Sequence, residues 1–489
     1  VVAFKIIVIN KAETTPLIID DNTDALEDTR LKYRYLDLRR PAMQNYLIKR
    51  AKIVKCAHEY LDDNGYIEVE TPILTLSTPE GARDYLVPSR IHHGKFYALP
   101  QSPQMFKQLL MIAGLERYYQ IARCFRDEDL RADRQPDFTQ IDIEMSFMDQ
   151  EQVLTMMEGL LKYIFKKVNN VDVELPLRRM EYLEAMSKYG SDKPDTRYEL
   201  FLHEIKPIVE KADFKPFRDA KYVKALIIPH HAEKASRKAI DDISNEMKKY
   251  SLPGIIAFKV SNGKMDGSLL KYVDESIQES LMKSLNLQND DLILVAAGDV
   301  FSDICFALGS LRSRFAKELG LVKPNTYDLL WVVHWPLFEI SKETGKITSS
   351  HHPFTRPYDE DLKYLESDPL KVFSQAYDIV INGYEAGGGS LRIYDQATQK
   401  EIFKILGFSD EDVKRKFGFF IDAFKYGTPP HAGIAFGLDR LSMILGGTDN
   451  IRDVIAFPKN LAASCPMSGA PEIVDPEQLD DLGIAIKSK

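Results

Sequence analysis

At 489 residues the chain is longer than one hydrophobic core organises, so about two to four domains are expected. Its 44% apolar and 28% charged residues match a soluble globular protein, and neither a run of about 18 apolar residues nor a signal-peptide pattern is present. A net charge of -9 argues against indiscriminate binding of polyanions, although a whole-chain sum can hide a local basic surface.

In chain order, Phe4 to Ile9 reads as a strand and gives way to the acidic stretch Asp20 to Asp28. A chain that starts inside a strand suggests that an upstream segment is missing. From Leu47 to Leu61 the apolar positions Leu47, Val54, Ala57 and Leu61 recur at helical spacing, and Asn64-Gly65 supplies the stop. Tyr66 to Leu74 reads as a strand, with Pro72 near its end marking an edge or an interface. From about Arg197 to Lys323, segments rich in lysine and glutamate alternate with short β-branched runs such as Gly254 to Val260. After Pro324 come the strands Asp328 to His334 and Tyr377 to Ile381, then a Gly-rich helical segment. The pattern predicts one α+β domain interrupted by an insertion. Cys56, Cys124, Cys305 and Cys465 lack CxxC spacing and histidine partners at ligand spacing, which sets aside a disulfide framework or zinc site and fits a reducing compartment.

The chemistry concentrates in a few runs. Around the run Cys124 to Glu144, two alternating stretches, Tyr119 to Phe125 and Phe138 to Met145, bracket a charged loop and predict an antiparallel hairpin. On its second strand Phe138, Gln140, Asp142 and Glu144 share one face, so carboxylates stand in a row beside an aromatic. An aromatic can stack a base, an arginine can grip phosphate and carboxylates can hold an ammonium group. A solvated hairpin face is the ordinary alternative, and the arginines of the loop count against it.

In the run Ala376 to Ile393, Asn382-Gly383 predicts a two-residue turn that pairs Ile381 with Tyr384 and Val380 with Glu385. Asp378 and Glu385 then become diagonal neighbours at about 7 Å, close enough to share magnesium bound to nucleotide phosphates. An isolated Asp/Glu pair is more often a solvated face. Here Gly387, Gly388 and Gly389 follow at once, clearing side chains where a ligand could approach, and Ser390 and Arg392 come next. A third run, His431 to Leu445, leads through Gly437 into a helix with Arg440 in its first turns, where an arginine can lean over a purine or meet a terminal phosphate. The runs Thr78 to Pro88, Pro100 to Gln108 and Ser350 to Thr355 add Glu80, Gln104, Lys107, His351 and His352.

In order, these runs resemble the three signature motifs of the class II aminoacyl-tRNA synthetases, and the loops between them resemble those of the bacterial-type aspartyl enzymes. The resemblance covers nearly the whole chain. It implies the class II antiparallel sheet flanked by helices, with residues 1–30 as the remnant of an OB-fold anticodon-binding domain and hinge. Residues 31–196 would be the first catalytic part, 197–323 an inserted domain of bacterial type, and 324–489 the second catalytic part. The stretch ending at Pro72 would be the first motif, which builds the dimer interface in that family.

The same resemblance implies roles. Arg126 and Arg440 would be catalytic. Arg126, Asp127, Glu128, Gln135, Phe138, Glu385, Gly437, Leu438, Asp439 and Arg440 would bind ATP, with the base between Phe138 and Arg440. Asp378 and Glu385 would hold Mg2+. Glu80, Gln104, Lys107, Arg126, Asp142, His351 and Arg392 would bind L-aspartate, with Lys107, Arg392 and the His351 region toward its side-chain carboxylate. The implied reaction forms aspartyl-adenylate and pyrophosphate, then loads tRNA(Asp), with tRNA(Asn) left open, in a cytoplasmic homodimer without membrane attachment. Asparaginyl and lysyl enzymes, a non-catalytic RNA-binding relative and an asparagine-forming ligase are the rivals. Lys107 with Arg392 disfavours lysine and asparagine as substrates.

Overall fold

A computed structural model of the protein describes residues 3–78 and 81–487. The chain forms two compact units. One runs through Leu175 and takes in His352–Phe354 and everything from Leu391 onward; the other holds Pro176–His351 and Thr355–Ser390. These divisions differ from boundaries at 196 and 323, because strands on both sides of the lysine-rich stretch belong to the second unit.

In the first unit the strands run in the order Ile67–Glu68, Arg117–Phe125, Asp137–Ser146 and His431–Gly437. The first pair is parallel and the other two are antiparallel. The expected hairpin is present, with Cys124 opposite Phe138 and Gln120 opposite Asp142. Strand alternation buries Ile141, Ile143 and Met145 on one face and leaves Asp142 and Glu144 on the other. The helix Pro41–Asp63 begins with proline at its first position, where the missing N–H costs nothing, and ends at Asn64 with Gly65 at φ 76°. It buries Met43, Ile53, Cys56, Ala57 and Leu61 and packs on the helices Gln150–Asn169 and Leu438–Gly446. The helix Gln150–Asn169 opens with a reciprocal Asp149–Gln152 capping box.

Two expected elements differ. Tyr66 to Leu74 gives only the two-residue strand Ile67–Glu68, since the following stretch, with Pro72, offers no continuous ladder. Phe4 to Ile9 forms no strand, and Phe4 and Ile9 are each 97% exposed. A strand needs a neighbour for its backbone groups, and none of the described strands pairs with it.

The second unit contains, besides the small hairpin of Phe338–Ile340 with Ile347–Ser349, two larger sets of strands. Tyr384–Leu391, Phe373–Ile381, Leu329–Pro336 and Arg178–Glu181 lie side by side in that order, antiparallel except for the last pair. A separate five-stranded antiparallel sheet runs Lys264–Asp266, Ile256–Ser261, Leu292–Gly298, Tyr222–Ile228 and Leu202–Glu204. Its strands all fall within the stretch 197–323. Both faces are covered: Leu292, Leu294 and Ala296 pack with Ile304, Leu308 and Phe315 of the helix Phe301–Glu318, while Ile293 and Val295 pack with Phe217, Ile277 and Leu281. The four cysteines are buried and none forms a disulfide among the described residues.

Candidate active site

A buried array of four charges lies in the first unit. Lys107, on the helix Gln104–Ile112, places Nζ 2.6 Å from Asp142 Oδ1 and 3.3 Å from Glu144 Oε2. Arg392 donates to the same Glu144 from Nε at 3.0 Å and Nη2 at 3.1 Å, while its Nη1 meets His352 Nε2 at 2.5 Å. All four charged side chains are buried, which is tolerable only because each has an opposite charge in contact. Burial raises the Asp142 carboxyl despite Lys107. Burial also works to raise Glu144, but Arg392 and Lys107 outweigh it and hold that carboxyl below its usual range. Among the described residues Gln104 Nε2 is buried without a hydrogen-bond partner.

Local structure explains how these groups reach one another. Gly433 is the strand partner of Glu144, and a Cβ there would fall on the Glu144 carboxylate and within 2.7 Å of Arg392 Nη2. Only glycine leaves room for the pair. His352 is fixed by its neighbours: Phe354 N donates to its Nδ1 at 3.2 Å, and the Phe354 ring is fully buried among Phe403, Phe417 and Phe420. His431 Nε2 lies 3.1 Å from Gln108 Oε1, and burial keeps this imidazole below its ordinary pKa.

The charged hairpin loop and the start of the helix Leu438–Gly446 form a second group in the same unit. The Arg126 guanidinium lies 4.9 Å over the Phe138 ring. Arg440 Nη2 donates to Asp133 at 3.2 Å, Glu128 pairs with Arg134 at 3.0 Å, and Asp127 pairs with Arg83 at 3.4 Å. Asp439 accepts from the Thr139 N–H at 2.9 Å and pairs with Arg50. Gln135 brackets the backbone of Lys459, accepting from its N–H at 2.7 Å and donating to its carbonyl at 3.0 Å. Gly437 caps the helix and Leu438 is buried. Gln135, Leu438 and Asp439 thus hold the loop and helix in place, while Arg126, Phe138 and Arg440 carry the groups suited to a nucleotide. Glu80 lies outside the described residues.

In the second unit the turn pairs Ile381 with Tyr384 and Val380 with Glu385. A one-residue bulge then shifts the register, so that Asp378 faces Gly388 and Ala376 faces Ser390. A Cβ at Gly388 would collide with Asp378 Oδ1. His351 Nε2 sits 3.5 Å from Asp378 Oδ1, with its ring edge-on to Trp335 at 4.8 Å. Burial pushes the Asp378 carboxyl up to about 6; His351 pulls it back, and Glu385 raises it again. Burial works to lower His351, but its contact with Asp378 wins and raises it. Two oxygen-donor carboxylates close enough to feel each other's charge suit a hard cation that also takes oxygen from phosphates. Among the described residues no group of three or more His, Cys, Asp or Glu is arranged to hold a metal by itself.

Of the adjacent histidines, His351 belongs to Asp378, and it is His352 that touches Arg392. Sequence reasoning named His352 and Glu144 within its candidate runs but gave neither a binding role. Glu144 carried a signal, the period-two row with Asp142; His352, Gln108 and His431 carried none beyond being polar.

The family described as tRNA synthetases class II (D, K and N) matches residues 26–461. The chain is 52% identical over 489 residues to an aspartate–tRNA ligase of Lysinibacillus sphaericus (strain C3-41), covering 99% of this chain and 83% of that one. It is also 52% identical over 491 residues to an aspartate–tRNA(Asp/Asn) ligase of Bacillus cytotoxicus, covering 100% of this chain and 83% of that one. Among solved structures, asparaginyl-tRNA synthetase from Pyrococcus horikoshii complexed with asparaginyl-adenylate aligns at a TM-score of 0.54 with 19% identity, over 93% of this chain and 77% of that one, a likeness of fold. The chain belongs to the class II tRNA synthetases, in the group that comprises the aspartate, lysine and asparagine enzymes.

Proposed function

We propose that the chain is an aspartate–tRNA ligase: it activates L-aspartate with ATP and passes the aspartyl group to the 3′ end of tRNA(Asp) or of both tRNA(Asp) and tRNA(Asn). The observation that carries this reading is the buried array of Lys107 and Arg392 held by Asp142 and Glu144. Two cations and two carboxylates in one buried site can receive a zwitterion with a second carboxylate by exchanging partners. Asparagine would leave a cation without its counter-charge. The aspartate ligases named above, at 52% identity over nearly the whole chain, support it further.

In the first step the aspartate α-carboxylate attacks the α-phosphorus of ATP and pyrophosphate leaves. Arg126, steadied over Phe138, would neutralise charge on the phosphoryl oxygens, and Arg440 would meet the departing end. Asp378 and Glu385 would hold Mg2+, which supplies positive charge against the triphosphate. In the second step the 3′-hydroxyl of the tRNA attacks the acyl carbon of the adenylate and AMP leaves. Both steps need position and charge and no enzyme nucleophile.

The same reading includes a homodimer. Ile67, Ile73, Leu74 and Leu76, around the Pro72 stretch, are each 48–52% exposed, an apolar run suited to burial by a second copy. It includes a cytoplasmic site of action, in keeping with four buried cysteines that form no disulfide among the described residues. Aspartate-dependent exchange of label between pyrophosphate and ATP, without tRNA, tests the proposal. Exchange driven by asparagine or lysine in place of aspartate would overturn it.

A further inference from the structure

The segment from Asn450 to Lys459 makes polar contacts along both of its sides. On one side it holds the charged hairpin loop. Ile451 N donates to the Ala132 carbonyl at 3.0 Å, and the Lys459 backbone is bracketed by Gln135. Between those anchors lies Asp133, the partner of Arg440. On its other side the segment is held by residues near the start of the chain. Glu27 accepts from Arg452 Nε at 2.8 Å, Arg452 Nη2 at 3.1 Å and Asn450 Nδ2 at 2.9 Å. Arg34 donates to the carbonyls of Arg452, Ile455 and Ala456 at 2.6, 2.8 and 3.0 Å, and Asp37 at 2.8 Å fixes its guanidinium.

This pattern is more than a packed surface needs. Apart from a short 3-10 turn at Ile451–Val454, the segment is irregular, so its carbonyls lack ladder partners and depend on side chains. Arg34 is 2% exposed and spends its planar fork on three of those carbonyls, a geometry lysine could not reproduce. The loop at the other side is charged and long; near its start Asp127 N meets the Arg83 carbonyl, and further along Ala132 and Gln135 both anchor to this one segment.

We propose that Glu27 and Arg34 are positioning residues for the nucleotide loop, acting through the strap Asn450 to Lys459. Neither touches the groups assigned to the nucleotide. They set where Ala132 to Gln135, and through Asp133 the Arg440 guanidinium, stand when ATP arrives. This inference rests on the proposed activation of aspartate by ATP.

The test is the KM for ATP and for aspartate in pyrophosphate exchange with Glu27→Gln, Glu27→Ala and Glu27→Asp, alongside limited trypsin digestion at Arg131 and Arg134. Loosening the strap in Glu27→Ala should raise the KM for ATP roughly tenfold, because small misplacements of binding groups are costly. The KM for aspartate should stay within about twofold, since the Lys107 array is held by other contacts. Glu27→Asp should recover much of the loss, and the isosteric Glu27→Gln should show the same direction where the alanine variant folds poorly. Cleavage after Arg131 and Arg134 should quicken by roughly threefold in Glu27→Gln, reporting a loop that opens more often. Equal changes in both KM values, or unchanged KM for ATP with unchanged cleavage, would overturn the strap. Were the unaltered chain to show no exchange, the functional reading would fail, and the trypsin comparison would still decide the strap.

Discussion

Glu144 grips Arg392 through both carboxylate oxygens and gives the second of them to Lys107 as well, so one buried anion holds two buried cations. Removing it leaves Asp142 alone against both, in a buried site. Glu144→Ala is therefore expected to lower the stability of the chain by about 3–5 kcal/mol, the cost of breaking a buried pair from one side. Urea unfolding measures this, and a midpoint equal to that of the unaltered chain would refute the electrostatic account.

Arg392→Leu separates structure from selectivity. On the proposed reading Arg392 is one of the two cations that recognise a second carboxylate, and polar recognition of this kind can discriminate by roughly 10⁴ to 10⁵. The variant should lose most of its preference for aspartate over asparagine, read as the ratio of kcat/KM in pyrophosphate exchange. Retention of the full preference would remove Arg392 from the selectivity role.

Gly433→Ala tests the same site without touching a charge. The new methyl must displace the Glu144 carboxylate and crowd Arg392 Nη2. Overpacking of this sort costs about 1–3 kcal/mol. The KM for aspartate should rise while that for ATP holds, because Arg126 and Phe138 stand apart from the displaced pair. A rise in the KM for ATP alone would contradict the assignment.

Much of this site was legible because strands alternate. Once the Asp137–Ser146 strand is recognised, Phe138, Asp142 and Glu144 must share a face, and Asn382-Gly383 fixes the pairing of Val380 with Glu385. What could not be read were features set by tertiary packing. The bulge after Val380 depends on how glycines settle against Asp378. The choice of His352 over His351 as the neighbour of Arg392 depends on Phe354 being driven into a phenylalanine cluster. The short strand at Ile67–Glu68 and the unpaired Phe4 to Ile9 run show the converse limit: propensity proposes a strand, and only a partner's backbone makes one.

Phe138→Ala removes the ring under the Arg126 guanidinium. If that ring also supports the base, stacking worth about 1–3 kcal/mol is lost. The expected result is a higher KM for ATP with little change in the KM for aspartate, and Phe138→Tyr should restore binding. An alanine variant that binds ATP normally would leave Phe138 a packing residue.

Asp378 and His351 predict opposite pH trends for stability and activity. Asp378 titrates near 6 in the folded chain, raised by burial above the usual value of about 4, so ionising it opposes folding. Its contribution to stability is full below about 4 and is lost as pH rises through 6. His351 is also raised, through Asp378, so its contribution is full below about 6.5 and is lost as pH climbs through the higher folded value. Cation binding, however, needs the ionised carboxylate. The kcat/KM for ATP should therefore fall as pH drops through about 6, while these two groups favour the folded state more. In His351→Asn the charge that draws the Asp378 value down is gone, and the acid limb of the activity profile should move to higher pH. A limb that stays in place, or moves toward acid, would show that this pair does not govern the step.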